Sequence, residues 1–166
     1  EKTVSTVYVM RHGDAVSRAN TDAERPLSER GIAEAESMVD TLLAEPPGLI
    51  WVSPYLRAQQ TKDAVVAGLT QHGCNPLVET VEGITPDDHP MAVLALLSRY
   101  QESADQAQGP LLLVSHNPLV SLLLSVLTEG HAQPSIGMAT ASIACLQGDV
   151  FASGSMILEW YKTPGI

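Results

Sequence analysis

The sequence predicts an α/β fold, a three-layer α/β/α sandwich with a mostly parallel central sheet. Three observations lead there. Short β-branched or apolar runs alternate with longer stretches of helical periodicity. The most apolar run, Leu111 to Val114, shows no polar alternation, as a strand buried on both faces requires. The chain has 166 residues, 45% hydrophobic and 17% charged, which suits one domain able to bury a core. Residues 1–166 are therefore read as a single domain, with no internal repeat, linker or low-complexity tract.

The elements follow in order. Val4 to Met10 is β-branched and aromatic and ends at Arg-His-Gly, a strand. Ser28 is a helix N-cap for a helix running to about Ala44, with Ile32, Ala35, Val39, Leu42 and Leu43 as its apolar stripe. Pro46-Pro47-Gly48 ends it. Leu49 to Val52 is a short strand closed by Ser53-Pro54, and a helix from about Leu56 to Leu69 follows. Leu77 to Val81 is a third strand. Pro90 opens a helix reaching about Gln101, with Val93, Leu94 and Leu97 inward. After Gly109-Pro110, Leu111 to Val114 is the buried strand, and Pro118 is the first-turn proline of another helix. Ser142 to Leu146 and Ile157 to Tyr161 are two late strands, one of them expected to be antiparallel.

Composition excludes several functions. Nine Lys+Arg against nineteen Asp+Glu give a net charge of −10, which disfavours nucleic acid and anionic membrane surfaces as partners. Two isolated cysteines, Cys74 and Cys145, form neither a disulfide framework nor a zinc or redox motif. His72 beside Cys74 has no second pair of ligands to complete a metal site. Glu1 to Ser5 lacks a signal-peptide pattern, so a reducing, cytoplasmic setting is expected. Dinucleotide, P-loop and serine-hydrolase motifs are all missing from the sequence.

Chemistry concentrates in three polar clusters: Arg11-His12-Gly13, Ser53-Pro54-Tyr55-Leu56-Arg57, and Ser115-His116-Asn117-Pro118. Each follows a predicted parallel strand, where open α/β sheets bind ligands. Arginine offers a planar, permanently charged fork for phosphate oxygens. A neutral histidine offers a nucleophilic nitrogen, and helix amino ends add free N–H groups. The set suits a phosphoryl group. The net charge would repel a phosphate, but four of the nine basic residues lie between Arg11 and Arg30, so the pocket must be locally positive. Taken singly, each residue has an ordinary reading: a loop histidine, a backbone-bonded buried histidine, a solvated arginine.

The motifs M-R-H-G-D-A, S-P-Y-L-R-A-Q-Q-T and V-S-H-N-P, in this order over nearly the whole chain, resemble the histidine phosphatase superfamily and its phosphoglycerate-mutase-like fold. Within it, Arg25 to Gly31 (R-P-L-S-E-R-G), Ile84 to Pro86 and Thr140 to Ala144 look like the short SixA-type phosphohistidine phosphatases. The resemblance implies that His12 is the nucleophile that becomes phosphohistidine, with its other ring nitrogen held by a backbone carbonyl. It implies that Arg11 and Arg57 clamp the phosphoryl oxygens and that His116 donates to the transferring group. Neither metal nor cofactor is implied. Arg25 is read either as a substrate contact or as a partner of Asp22 or Glu24. Asp14 is a turn residue that holds the loop, and Arg18 and Arg30 are surface charges.

The implied substrate is phosphohistidine on a partner protein, a histidine phosphotransfer domain or a sugar-phosphotransfer carrier. The stretch from Val81 to Leu111 is too short to carry a large cover over the site. An imidazole leaving group lessens the need for a strong acid, and of Glu82, Asp87 and Asp88 none has a context that marks it as that acid. A small-molecule phosphomonoesterase and a non-catalytic phosphate-recognition module are the alternatives. A mutase is disfavoured, because it must retain a small intermediate under a cover.

Overall fold

The computed structural model describes residues 4–103 and 106–166. Glu1 to Thr3, part of the segment read for a signal peptide, lie outside the described residues. Six strands form one sheet in the order β3-β2-β4-β1-β5-β6. The first four, β1 (Ser5–Arg11), β2 (Leu49–Val52), β3 (Leu77–Thr80) and β4 (Leu111–Ser115), run parallel. Strand β5 (Ile143–Gly148) is antiparallel to both its neighbours, β1 and β6 (Ile157–Lys162). That is the one antiparallel strand the sequence led one to expect.

Alternate side chains of each central strand feed two cores. Val7, Val9, Trp51, Leu111 and Leu113 pack on one face with α3 (Pro90–Glu102) and α4 (Leu119–Glu129). Tyr8, Met10, Ile50, Leu112 and Val114 pack on the other, against Met38, Val39 and α2 (Leu56–Gln71). Every residue of β4 is buried, which explains its unbroken apolar run. Helix α3 places Val93, Leu94 and Leu97 in the core and packs beside α4. The Val81–Leu111 stretch is therefore spent on an outer layer.

Two sequence expectations need correcting. The first helix, α1, covers only Glu29–Ser37 and gives way to a 3₁₀ turn, Val39–Leu42. Ser37 Oγ donates to the Glu34 carbonyl and Thr41 Oγ1 to the Met38 carbonyl, diverting acceptors that a continuing α-helix would use. Its apolar stripe is also incomplete, because Ile32 is 42% exposed while Glu34 is only 4% exposed. Helix α1 turns its amino end to a polar loop, so the buried face carries Gly31, Glu34 and Ala35. Pro118 stands one position ahead of α4, as its N-cap, after a cis Asn117–Pro118 bond. Ser28 does cap α1, accepting from the Gly31 N–H at 3.0 Å.

The Arg-His-Gly loop and α1 meet at backbone distance. A Cβ on Gly31 would lie 2.0 Å from the Asp14 carbonyl oxygen, and one on Gly13 would lie 2.5 Å from the Gly31 oxygen. Substituting Gly31→Ala must push the loop and the helix apart. The expected cost is about 1–3 kcal/mol, the range for overpacking, read as a lower urea midpoint at unchanged slope. A wild-type midpoint would contradict this packing.

Candidate active site

The three clusters meet because β2, β4 and β1 are neighbours in one register. Arg11 pairs with Ser115 and Val52 with Val114. Beyond the strands the ladder continues, with His12 N–H donating to the Ser115 carbonyl at 2.9 Å and Ser53 N–H to the Val114 carbonyl at 3.1 Å. The His12 carbonyl accepts from Ala141 N–H at 2.9 Å, so His12 is gripped between β4 and the loop before β5.

The His12 ring is 7% exposed. Its Nδ1 lies 2.7 Å from the Gly13 carbonyl, which can only accept, so Nδ1 carries the proton. Nε2 then holds its lone pair and accepts from Arg57 Nε at 3.3 Å. The backbone hold expected for the other ring nitrogen is present. Burial, and then Arg57 and Arg11 nearby, push the His12 pKa down to about 4, against the Gly13 bond. The ring is therefore neutral at pH 7.

Around it, Gly13 N–H donates to Thr61 Oγ1 at 3.0 Å and Asp14 N–H to Glu34 Oε1 at 2.8 Å. Thr140 Oγ1 bonds both Glu34 oxygens, which ties the loop before β5 to the same carboxylate. Asp14 accepts from Ser28 through its carbonyl and its carboxylate, the turn-holding role read for it. Glu34 escaped sequence reading because a Glu four residues after Arg30 looks like a surface ion pair. Only its burial separates the two cases.

Arg57 occupies the first turn of α2 and is 4% exposed. Its Nη1 donates to the Asp22 carbonyl at 2.7 Å and its Nη2 to Asp22 Oδ2 at 3.1 Å. Arg25 Nη1 takes Asp22 Oδ1 at 2.9 Å, and Arg25 Nε takes the Val16 carbonyl at 2.8 Å. Asp22 thus bridges two of the arginines singled out in the sequence, and its carboxyl is held below its usual range by Arg25 and then Arg57. The short turn that carries it, Asp22–Glu24, was not foreseen. Three residues with one acidic bond to a distant arginine leave no periodic signal.

Arg11 Nη1 donates to the Met138 carbonyl at 3.0 Å, and burial draws its pKa below the usual arginine value. His116 is fully buried, its ring centroid 5.1 Å from that of His12 and 5.0 Å from that of Tyr55. Its Nε2 lies 2.7 Å from Ser53 Oγ. Burial, then His12 and Arg57, push its pKa down to about 3. Among the described residues, Arg11 Nε and His116 Nδ1 are buried without a hydrogen-bond partner. Both can act as donors, and both belong to the cluster that surrounds His12.

The carboxylates considered as a proton source stand apart. Asp88 Oδ2 accepts from Thr85 N–H and Oγ1, both at 2.7 Å. Glu82 and Asp87 are exposed. Among the described residues, none of the three bonds His12, His116, Arg11 or Arg57. Arg18 is exposed, as is Arg30, which approaches Glu34 at 3.7 Å.

A neutral histidine whose Nε2 lone pair meets Arg57, held beside buried arginine donors at the carboxyl edge of a parallel sheet, has the chemistry to receive a phosphoryl group. The family model of the histidine phosphatase superfamily (branch 1) matches residues 7–80. Phosphohistidine phosphatase SixA of Escherichia coli K12 is 32% identical over 161 residues, covering 95% of this chain and 93% of that protein. The SixA homolog of Haemophilus influenzae is 34% identical, covering 96% and 97%. The solved structure of the protein histidine phosphatase SixA complexed with tungstate matches with a TM-score of 0.77 at 31% identity, over 96% of this chain and 97% of that one. The chain belongs to the SixA phosphohistidine phosphatase family of this superfamily.

The two depressed histidines make stability depend on pH. Between the unfolded value of about 6.5 and the folded values, the unfolded chain binds more protons, so stability falls as pH falls. The contribution is complete above about pH 6.5 and is lost on acidification, by roughly 2 kcal/mol per histidine by about pH 5. Urea titrations at the two pH values should show this loss, and His12→Asn should show it reduced by one histidine's share. Identical pH slopes for the two proteins would contradict the depressed His12 pKa.

Proposed function

We propose that this chain hydrolyses phosphohistidine on a partner protein, a histidine phosphotransfer domain or a sugar-phosphotransfer carrier, through a phosphohistidine formed on His12. The observation that carries the reading is the state of the His12 ring. Nδ1 is fixed on the Gly13 carbonyl, Nε2 keeps its lone pair, and the ring is neutral. Nε2 attacks phosphorus while the bond to the substrate nitrogen breaks, and that nitrogen keeps the electron pair. A substrate ring protonated on its other nitrogen departs as neutral imidazole. Water then attacks phosphorus, the bond to Nε2 breaks, His12 recovers its lone pair and phosphate leaves. Arg57, Arg11 and His116 supply donors to the phosphoryl oxygens, and Arg25, paired with Asp22, serves as a further substrate contact in this reading. The scheme uses no metal or cofactor.

The choice of a nitrogen leaving group rests on the carboxylates. Among the described residues, Asp22 is the carboxylate bonded to Arg57, and its two arginine partners keep it ionised, a poor proton donor for an alkoxide. Helix α3 is packed into the core, which supports a substrate borne on a protein. Among the described residues, no carboxyl group bonded to the cluster supports the proton donor that the phosphomonoesterase reading requires.

The test compares wild type and His12→Ala on a phosphohistidine-bearing carrier and on an aryl phosphomonoester. Wild type should dephosphorylate the carrier quickly and the ester barely, and rapid quenching should trap acid-labile phosphate on His12. His12→Ala should lose turnover. Near wild-type turnover in that variant would overturn the covalent route, and efficient ester hydrolysis would overturn the substrate class. Separately, Arg57→Ala should lose about 2.7–4 kcal/mol of transition-state stabilisation, roughly 10²–10³ in rate. A loss below about tenfold in kcat/KM would remove Arg57 from the clamp.

A further inference from the structure

We propose that Ser53 is a positioning residue: its hydroxyl donates to His116 Nε2, fixes the hydrogen of the neutral ring on Nδ1, and so makes His116 a hydrogen-bond donor to the transferring phosphoryl group. The inference rests on the functional reading above, in which His116 serves that group, and adds what makes it a donor.

Ser53 is fully buried at the end of β2, directly beyond Val52. Its Oγ has one hydrogen and two lone pairs. One lone pair accepts from Tyr55 N–H at 3.3 Å. The other contact is His116 Nε2, at 2.7 Å. Among the described residues the hydroxyl has no acceptor except Nε2. If Nε2 carried the hydrogen, both the Ser53 hydrogen and the Nδ1 lone pair would be buried unpaired, a costly outcome. In the reverse arrangement Ser53 is satisfied, and Nδ1 bears the N–H that no described residue accepts. A lone pair on Nδ1 would repel an incoming phosphoryl oxygen, whereas an N–H attracts it.

The location of Ser53 makes the arrangement stiff. Its N–H continues the β2–β4 ladder to the Val114 carbonyl, and its own carbonyl accepts from Gln59 Nε2 at 2.9 Å. Tyr55 closes over the His116 ring edge-on, with ring centroids 5.0 Å apart. The ring that must present Nδ1 is thus held at Nε2 and along one face. The Ser53-Pro54-Tyr55-Leu56-Arg57 segment then does two jobs. Its last residue reaches His12 and its first sets the tautomer of His116.

The decisive measurement is nitrogen-15 NMR of the imidazoles in the wild-type protein near neutral pH, with His116 assigned by its loss in His116→Ala. A neutral ring with hydrogen on Nδ1 is expected, and a ring with hydrogen on Nε2 would overturn the proposal without any Ser53 variant having to fold. Ser53→Ala should lose the fixed Nδ1–H tautomer and lower kcat on the phosphohistidine carrier by about tenfold or more, with KM little changed. Ser53→Thr, which keeps the hydroxyl, should recover both signals. A folded Ser53→Ala protein with wild-type kcat and an unchanged tautomer would overturn the proposal. Full activity in His116→Ala, beside an intact Nδ1–H signal in wild type, would instead overturn the functional reading on which it rests.

Discussion

Strands β1, β4 and β2 lie side by side and parallel, with Arg11 level with Ser115 and Val52 level with Val114. Everything in the candidate site hangs on that register. Side chains alternate along a strand, so a slip of one residue would send each to the opposite face. Here the slip is prevented on both faces at once, because β4 is buried throughout and its leucines feed two separate cores. Apolar packing on both faces of β4 therefore decides where His12, Ser53 and His116 end up.

The site answers the electrostatic problem posed by the chain. A net charge of −10 surrounds the site proposed to take a phosphoryl group. Arg11 and Arg57 are half-buried to buried beside two histidines, and burial holds both rings neutral rather than adding two more cations. Carboxylates restrain the surrounding frame. Asp22 joins Arg25 to Arg57, and Glu34 ties the His12 loop to α1 and to the loop before β5. Buried ions of this kind persist where each has a partner. Among the described residues, the exceptions in this cluster are Arg11 Nε and His116 Nδ1.

Much of this was legible beforehand. Parallel-sheet strands read as apolar runs because both faces are covered, so β1, β2 and β4 announced themselves, and the polar cluster after each marked the ligand edge. Val93, Leu94 and Leu97 keep helical spacing and are buried as read. Where the reading failed, long-range contacts had overridden a local pattern. Ile32 fits an apolar stripe, yet its helix faces a polar loop, so Glu34 is buried and Ile32 is not. Ser37 and Thr41 look like tolerable helix residues, but their hydroxyls bond carbonyls three positions back and tighten the turn.

The layered α/β architecture, the order of its elements and the residues at the sheet edge are written in the amino-acid order. Those properties reside in periodicity and in residue type, which are local. The partners of the ring nitrogens, by contrast, come from the fold. His12 Nδ1 meets the carbonyl of its own neighbour, Gly13, but His116 Nε2 meets a serine 63 residues away, and Arg57 meets Asp22 at a separation of 35. A hydrogen-bonding role depends on distance and burial between residues that the fold brings together, and no spacing along the chain encodes either.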